Sequence, residues 1–281
     1  MSIYAILAFL GVLVSFERVL DLIDSSMSFW MRLLWSVILL VGTWLLCFLG
    51  VAVYVVVCKR VKVVEGNNGK AVYVQYGDLF SPEEIPSKDK NHRRSICFAV
   101  NRCFDTIVDD RLISSASIHG KAFKQLYQTG IWTADNLNEK IQASMAPNAL
   151  YETLSVTEKP QGNLKRYSVG TGADVEVSAL LHYFLIGLSS FDSTLTAHTQ
   201  MDEYCLAIQR MIEFCDRQSQ GFPVVMPIIG GFLARTGQKE VALLEYMVKS
   251  FKMNVDHINS DIYIVVREDA KNAISIFDLK N

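Results

Sequence analysis

The hydrophobic positions of this chain fall into two patterns, and the first is one long apolar run. From Leu33 to Cys58 no residue carries a charge, and Lys59, Arg60 and Lys62 follow directly. At about 1.5 Å per residue, a helix over this run would be about 39 Å long, more than the ~30 Å hydrocarbon core of a membrane. Basic residues usually mark the cytoplasmic flank of a span. The pattern therefore predicts a transmembrane helix over 33–58 that ends in the cytoplasm.

A shorter apolar stretch precedes this run over residues 3–23 and is interrupted near its end by Glu17, Arg18 and Asp21. It lacks a basic start and a small-residue cleavage site, so we do not interpret it as a signal peptide. Either both stretches cross the membrane as a hairpin, or only 33–58 crosses. We favour the hairpin, with both chain termini in the cytoplasm. The three charged residues then lie against a neighbouring helix or at the membrane interface.

The second pattern begins after Lys59 and alternates β-branched or fully apolar runs with amphipathic stretches. We predict strands over 61–65, 71–76, 95–100, 165–169, 223–229 and 261–266, and helices near 117–127, 135–143, 198–219 and 238–251. The segment Gly66-Asn67-Asn68-Gly69 predicts a hairpin between the first two strands, and 81–94 is a polar loop. This alternation indicates an α/β domain with a mixed, mostly parallel sheet over 59–281, behind a transmembrane region over 1–58.

Composition narrows the functional classes. The chain has 27 Lys and Arg against 29 Asp and Glu, and the charges beyond Cys58 are balanced, so nothing indicates nucleic-acid binding. The six cysteines form no CxxC pair, and the five histidines are too scattered for a zinc pattern. We therefore expect reduced cytoplasmic thiols and neither a metal nor a cofactor.

Candidate chemistry lies where the predicted strands end, because open α/β sheets bind ligands at the carboxyl ends of their strands. Gly230-Gly231 stands between a strand and a helix, where backbone N–H groups can approach an anion and Arg235 can add a full charge. The stretch Ser114–Gly120 is a second such loop, and His119 within it is either a structural residue or a catalyst. Asp78 can accept a hydrogen bond from a purine amino group or serve as a turn residue or cap.

Together these strand ends resemble the macrodomain, the α/β/α fold that binds ADP-ribose. Gly77-Asp78-Leu79-Phe80 is similar to the family's Gly-Asp-Ile-Thr segment, and Asn101 to the first Asn of its Asn-Ala-Ala-Asn strand end. Ser114 to Gly120 stands in place of the glycine-rich first phosphate loop, and Pro227 to Ala234 resembles the second. The resemblance implies a macrodomain-like three-layer α/β/α sandwich with a mixed sheet, which spans residues 70–267.

A closer resemblance is to a divergent macrodomain subfamily that follows two predicted membrane helices. It rests on the segments Val100 to Asp110, Ile118-His119-Gly120, Gly170-Thr171, Phe191-Asp192 and Ile229-Gly230-Gly231. This architecture is similar to the membrane effector of type II Thoeris anti-phage defence. The resemblance implies a receptor and not an enzyme. A TIR-domain partner consumes NAD and makes an ADP-ribose-containing signal, in this type a histidine conjugate. The effector binds that signal, self-assembles into a homo-oligomer in the inner membrane and disrupts the membrane, which causes abortive infection.

The resemblance also implies roles for particular residues. Adenine would lie on Asp78, Leu79 and Phe80, and the distal ribose on Asn101, Phe104 and Asp105. The diphosphate would lie on the two loops, whose residues are Ser114, Ser117, Ile118, His119, Gly120, Gly230, Gly231, Phe232, Leu233, Ala234 and Arg235.

Two departures from ordinary macrodomains argue against hydrolysis. Members that remove ADP-ribose use a second Asn and a triple-glycine loop, whereas this chain has Phe104 and Ser115-Ala116-Ser117. Two alternatives stay open. One is a membrane-bound ADP-ribosyl hydrolase or ADP-ribose reader, with Asp105 or His119 as the base of the hydrolase. The other is a membrane-anchored scaffold with an empty pocket.

Overall fold

A computed structural model of the chain describes residues 11–12, 28–57, 59–85, 93–231 and 236–280. The chain divides into two compact units, Met1–Lys59 and Arg60–Asn281.

The N-terminal unit contains helix α1, Phe29–Val57. Large apolar side chains on all sides of this helix are exposed, among them Trp44, Leu46 and Phe48. Within the described residues, α1 is the one helix that is long and apolar enough to cross a membrane, over Phe29–Tyr54. The predicted helix over 33–58 is thus confirmed as a helix. The other predicted span, 3–23, lies outside the described residues apart from Gly11 and Val12.

The described residues of the C-terminal unit form ten strands. They are β1 Arg60–Glu65, β2 Ala71–Tyr76, β3 Arg94–Asn101, β4 Tyr151–Thr153, β5 Lys165–Tyr167, β6 Gly172–Ser178, β7 Leu181–Phe191, β8 Ala197–His198, β9 Val224–Pro227 and β10 Ile262–Val266. The main sheet has the order β1-β2-β10-β9-β3-β7-β6, with β8 on β7, and β4 pairs with β5 in a separate sheet. Strands β2, β10, β9, β3 and β7 are parallel neighbours, whereas β1, β6 and β8 pair antiparallel. The prediction of a mixed, mostly parallel sheet is confirmed.

In the part of this unit that the structure describes, four α-helices cover the two faces of the sheet. They are α2 Ile118–Gln128, α3 Ala134–Ser144, α4 Met201–Ser219 and α5 Glu240–Met253. Successive side chains of a strand point to opposite faces, so Ile264 packs with Met211 of α4, and its neighbour Val265 packs in the cluster that holds Phe123 of α2. Both faces are therefore buried, which explains why β9 and β10 are apolar throughout. The result is an α/β/α sandwich.

The differences from the predicted elements have local causes. The hairpin of β1 and β2 is confirmed, with Val61 opposite Val74. The pattern does not predict β6, a strand of seven residues at the margin of the sheet, or assign the apolar run that forms β7. The strand predicted over 165–169 exists as β5, but it belongs to the small second sheet. Periodicity reports which side chains are buried and does not report which strand is the partner.

Candidate functional site

The carboxyl ends of the parallel strands share one edge of the sheet, and a cavity of about 270 Å³ lies there. Asn101 at the end of β3 and Phe191 at the end of β7 line it, together with Ser114, Ser117 and His119 from the segment that enters α2. The cavity therefore brings together the β3 end and the first predicted phosphate loop.

A second cavity of about 170 Å³ adjoins the first, because Ala99, Ser117 and His119 line both. Gly230 and Gly231, which follow β9, form another part of its wall. This cavity is also lined by Ile118 and Lys121 of α2 and by Arg267 after β10. The two predicted anion loops thus meet on either side of this cavity.

The start of α2 is shaped by a close approach of the chain to itself. Ser117 caps the helix, since its Oγ accepts from the Gly120 N–H at 2.9 Å and donates to the Ser114 carbonyl at 2.6 Å. A Cβ at position 120 would collide with that same carbonyl, so only glycine fits. This arrangement fixes the N-terminus of α2, where partial positive charge accumulates, in the wall that both cavities share.

The second loop is also specified by a glycine. Gly230 has φ 82°, and a Cβ there would lie 2.6 Å from the Tyr204 ring. The Gly230 carbonyl accepts from Thr236 Oγ1 at 3.0 Å, which holds the two ends of the loop together. Phe232, Leu233, Ala234 and Arg235, predicted to contact the diphosphate, lie outside the described residues.

His119 is buried between aromatic rings at the junction of the cavities. Its ring meets the Phe123 ring edge to face at 4.5 Å. Burial lowers the pKa of His119 from its usual 6.5 to about 3, and a hydrogen bond with the Asp105 backbone offsets only part of this. The ring is therefore neutral at pH 7. Because a carbonyl can only accept, the ring donates that bond, and Nε2, which has no partner among the described residues, remains an acceptor.

The β3 end is held by a buried ion pair. Asp105 and Lys159 are 1% and 0% exposed, and Lys159 Nζ lies 3.0 Å from the Asp105 carboxylate. Lys159 also donates to the carbonyls of Gln161 and Asn163, while the Asn163 N–H donates to Asp105 at 2.7 Å. Burial raises the pKa of Asp105, and Lys159 and the Asn163 N–H oppose that rise. The Asp105 side chain is thus occupied within the fold and lines neither cavity.

Its neighbours Asn101 and Phe104 have different positions. Asn101 lines the first cavity, but its Oδ1 accepts from the Cys103 N–H at 3.0 Å and so also fixes the turn. Phe104 has φ 52°, is 1% exposed and packs edge to face against Tyr167 at 5.7 Å. The structure therefore places Asn101 in the cavity wall and Phe104 in the core.

The β2 end lies at the same edge, beside the end of β10, but lines neither cavity. Asp78 is exposed, and its Oδ1 accepts from the Phe80 N–H at 3.1 Å. Leu79 is 8% exposed and packs in the core, while Phe80 is partly buried. The Asp78 N–H donates to Glu84 Oε1 at 3.0 Å. The Asp78 carboxylate is thus presented to solvent on a fixed turn.

Comparison with known proteins assigns the fold to a family. Residues 72–267 match the family described as Thoeris protein ThsA, Macro domain. The chain belongs to this ThsA macrodomain family. It is 25% identical over 242 residues to Thoeris protein ThsA of Bacillus amyloliquefaciens (strain Y2), and the alignment covers 83% of this chain and 73% of the relative.

Two solved structures give the extent of the structural likeness. The Oceanobacillus iheyensis macrodomain with ADP aligns with a TM-score of 0.41 and 9% identity, covering 79% of this chain and 94% of that one. A glycine-to-valine variant of that macrodomain with ADPR aligns with a TM-score of 0.41 and 10% identity, covering 79% and 96%.

Several residues that form the site in this macrodomain are not predicted from the sequence. Lys159 lies 54 positions from Asp105, in a polar stretch with no periodic pattern that would reveal its partner. Glu84 lies in a loop that the pattern leaves without assigned contacts, and Lys121 and Arg267 resemble solvated surface cations in sequence. The glycines Gly77 and Gly162 are the sequence signals for these contacts, because the Glu84 and Asp105 carboxylates fill the space that a Cβ would need there.

Proposed function

We propose that this protein is a membrane-anchored effector of Thoeris antiviral defence that binds an NAD-derived, ADP-ribose-containing nucleotide. Membership of the ThsA macrodomain family supports the role in defence. The signal would be the histidine conjugate of ADP-ribose made by a TIR-domain partner. In this proposal the protein is a receptor, so its task is to bind the signal and change its state of assembly.

The observation that carries the proposal is the pair of adjoining cavities that meet at the N-terminus of α2. A dinucleotide-like ligand has two ends joined by a diphosphate, and such a ligand needs an anion site between two pockets. The start of α2 at Ser117 lies on the shared wall, and the turn at Gly230 lies on the wall of the second cavity, so backbone N–H groups from both can contact a diphosphate. Lys121 adds positive charge on the second-cavity side, where Arg267 is paired with Glu240 at 3.8 Å.

The two ends of the ligand would lie on opposite sides of this anion site. The β3 side, with Asn101 and Phe191, would hold the distal ribose and its substituent. Adenine would lie beyond the second cavity, at the β2 end beside β10, with the exposed Asp78 carboxylate accepting from its amino group.

The alternative of a hydrolase is less compatible with the geometry. Of the two candidate bases, Asp105 is ion-paired with Lys159 inside the protein, and the pKa of His119 is about 3. A general base works best when its pKa is near the working pH. A turnover assay on ADP-ribosylated protein separates the functions. Release of ADP-ribose that Asp105→Ala abolishes while the fold is retained would establish the hydrolase instead.

The output would be the membrane region. Helix α1 and the apolar stretch over 3–23 would form the transmembrane hairpin of an inner-membrane protein, and ligand binding would favour a homo-oligomer that disrupts the membrane. A ligand shifts such an equilibrium only by its difference in affinity between the two states.

Calorimetry on the full chain in detergent micelles tests the receptor role. We expect ADP-ribose to bind and adenosine, which lacks the diphosphate, to bind at least about tenfold more weakly, since charge-assisted hydrogen bonds are lost. Equal affinity for the two compounds, or no heat with either, would refute the proposal.

Replacing residues 1–58 with an unrelated membrane tether tests the output. Binding of ADP-ribose should persist, and toxicity in cells that also express a TIR-domain partner should disappear. Toxicity that survives the exchange would show that the membrane region is an anchor only.

A further inference from the structure

Three polar side chains connect the β2 end to the first residue of the C-terminal unit. Glu84 Oε1 accepts from the Asp78 N–H at 3.0 Å, and Glu84 Oε2 accepts from Gln75 Nε2 at 2.9 Å. Gln75 Oε1 in turn accepts from Arg60 Nε at 2.6 Å. A continuous chain of hydrogen bonds therefore runs from Arg60 to Asp78.

The network is built into the fold and does not lie loosely on its surface. Gln75 is 1% exposed, and every polar atom of its amide has a partner, because Nε2 also donates to the Glu84 carbonyl at 2.8 Å. The Glu84 carboxylate occupies the space that a side chain at position 77 would need, so Gly77 is required for it. Glu84 and Arg60 are partly buried around this satisfied amide, and their shared hydrogen bonds hold the members of the network in one geometry.

Arg60 is held as firmly at the other end. Its guanidinium lies 4.8 Å from the centre of the Tyr263 ring and 5.8 Å from that of Tyr73, two rings that stack on each other at 5.2 Å. Its Nη2 donates to the Glu84 carbonyl at 2.7 Å. Arginine suits this place because one planar group can stack and donate in several directions.

Arg60 lies close in sequence to the membrane helix. Only Cys58 and Lys59 separate it from Val57, the last residue of α1. Arg60 is therefore the residue of the sheet that lies nearest in sequence to α1. We propose that Glu84 is the positioning residue of the Asp78 segment and that Arg60 and Gln75 couple this segment to the tether, an inference that rests on the proposed nucleotide site at Asp78.

Coupling of this kind is reciprocal. A ligand that fixes the Gly77–Phe80 segment stabilises the Glu84 contacts and, through Gln75, the geometry of Arg60. A tether that moves Arg60 loosens the same segment and weakens binding.

Hydrogen–deuterium exchange on the full chain in detergent micelles tests this, with Arg60→Gln and Glu84→Gln as variants. Glu84→Gln keeps the shape but leaves one side-chain acceptor for two donors, the Asp78 N–H and Gln75 Nε2. Lys62→Gln is the matched control, since Lys62 lies on the same strand and pairs with exposed Glu65 at 3.2 Å, away from the network. We expect exchange over 77–80 to accelerate at least about tenfold in Arg60→Gln and Glu84→Gln, because local opening becomes easier, and to stay unchanged in Lys62→Gln.

The second arm adds ADP-ribose to the wild-type chain and to Glu84→Gln. We expect slower exchange over both 77–80 and 60–65 in the wild type, and loss of the 60–65 effect in Glu84→Gln. Protection over 77–80 alone, or unchanged exchange over 77–80 in both variants, would overturn the coupling while the nucleotide site stands. If neither segment of the wild type is protected, both the proposed nucleotide site and the coupling are refuted.

Discussion

The ends of β2 and β3 lie at the same edge of the sheet and each carries an aspartate, yet the fold uses the two carboxylates in opposite ways. Asp78 is exposed, and its backbone N–H is held by Glu84. Asp105 is buried and paired with Lys159. Both were candidates for direct contact with a ligand, and only Asp78 keeps a carboxylate directed to solvent.

This difference shows that a carboxylate at a strand end can serve either the ligand or the site itself. At the β3 end, the Asp105–Lys159 pair joins the stretch before β5 to the turn that carries Asn101 in the cavity wall. At the β2 end, Glu84 supports the turn and leaves Asp78 available. Variants at each end should therefore separate stability from binding.

The largest effect is expected at the β3 end. Lys159→Met leaves the Asp105 charge buried without its partner and should lower the free energy of unfolding by about 3–5 kcal/mol. Chemical denaturation of the full chain in detergent, followed by near-ultraviolet circular dichroism, measures this. Lys165→Met is the control, because Lys165 is exposed in the same part of the chain, and loss of its contact with the Tyr151 ring at 4.9 Å should cost less than about 1 kcal/mol. The double variant Lys159→Met/Asp105→Leu should recover most of the loss, and equal losses in the single and double variants would show that the pair is not the cause.

The equivalent test at the β2 end is Gly77→Ala. The added Cβ collides with the Glu84 carboxylate, so overpacking should cost about 1–3 kcal/mol of unfolding free energy. Glu84→Ala in the same chain removes the obstacle. The double variant should therefore lose less stability than the sum of the losses in the two single variants. Simple additivity in the same denaturation experiment would mean that Glu84 does not fill the space at Gly77.

His119 tests how the β3 end responds to pH, because its ring bonds to the Asp105 backbone. Its pKa in the folded protein, about 3, lies below the usual 6.5, so the neutral ring stabilises the fold above pH 6.5, and this stabilisation is lost as the pH falls toward 3. Between about pH 7 and about pH 5 the wild type should lose about 2 kcal/mol more stability than His119→Gln, which has no such titration. Parallel pH profiles of the two proteins would contradict the burial of a neutral ring.

The fold was largely predictable, because buried strands and amphipathic helices leave periodic patterns. The hairpin of β1 and β2, the strand that ends at Asn101 and the helix that begins after Ser117 were all predicted from local sequence. The two supporting contacts were not, since Lys159 meets Asp105, and Arg60 meets Glu84 both directly and through Gln75, across many positions of the chain. Such contacts depend on which strands are neighbours, and that information is not periodic. The same limit explains why Asp105 was assigned to the ligand.

The smallest effect on stability is expected for the residue with the most direct proposed role in binding. Asp78→Asn changes an exposed side chain, and Asn retains the oxygen that accepts from the Phe80 N–H, so the free energy of unfolding should change by less than about 0.5 kcal/mol. One carboxylate oxygen becomes an amide that can only donate. Opposite an adenine amino group, two donors then face each other, and the affinity for ADP-ribose should fall by about tenfold or more. Calorimetry on the full chain measures this, with the exposed Asp256→Asn as a control for the loss of charge alone. Asp105→Asn should show the reverse order, with a loss of stability that exceeds any direct loss of binding. Unchanged affinity in Asp78→Asn would mean that the β2 end, like the β3 end, serves the fold and not the ligand, and adenine would then have to be recognised by the cavity walls alone.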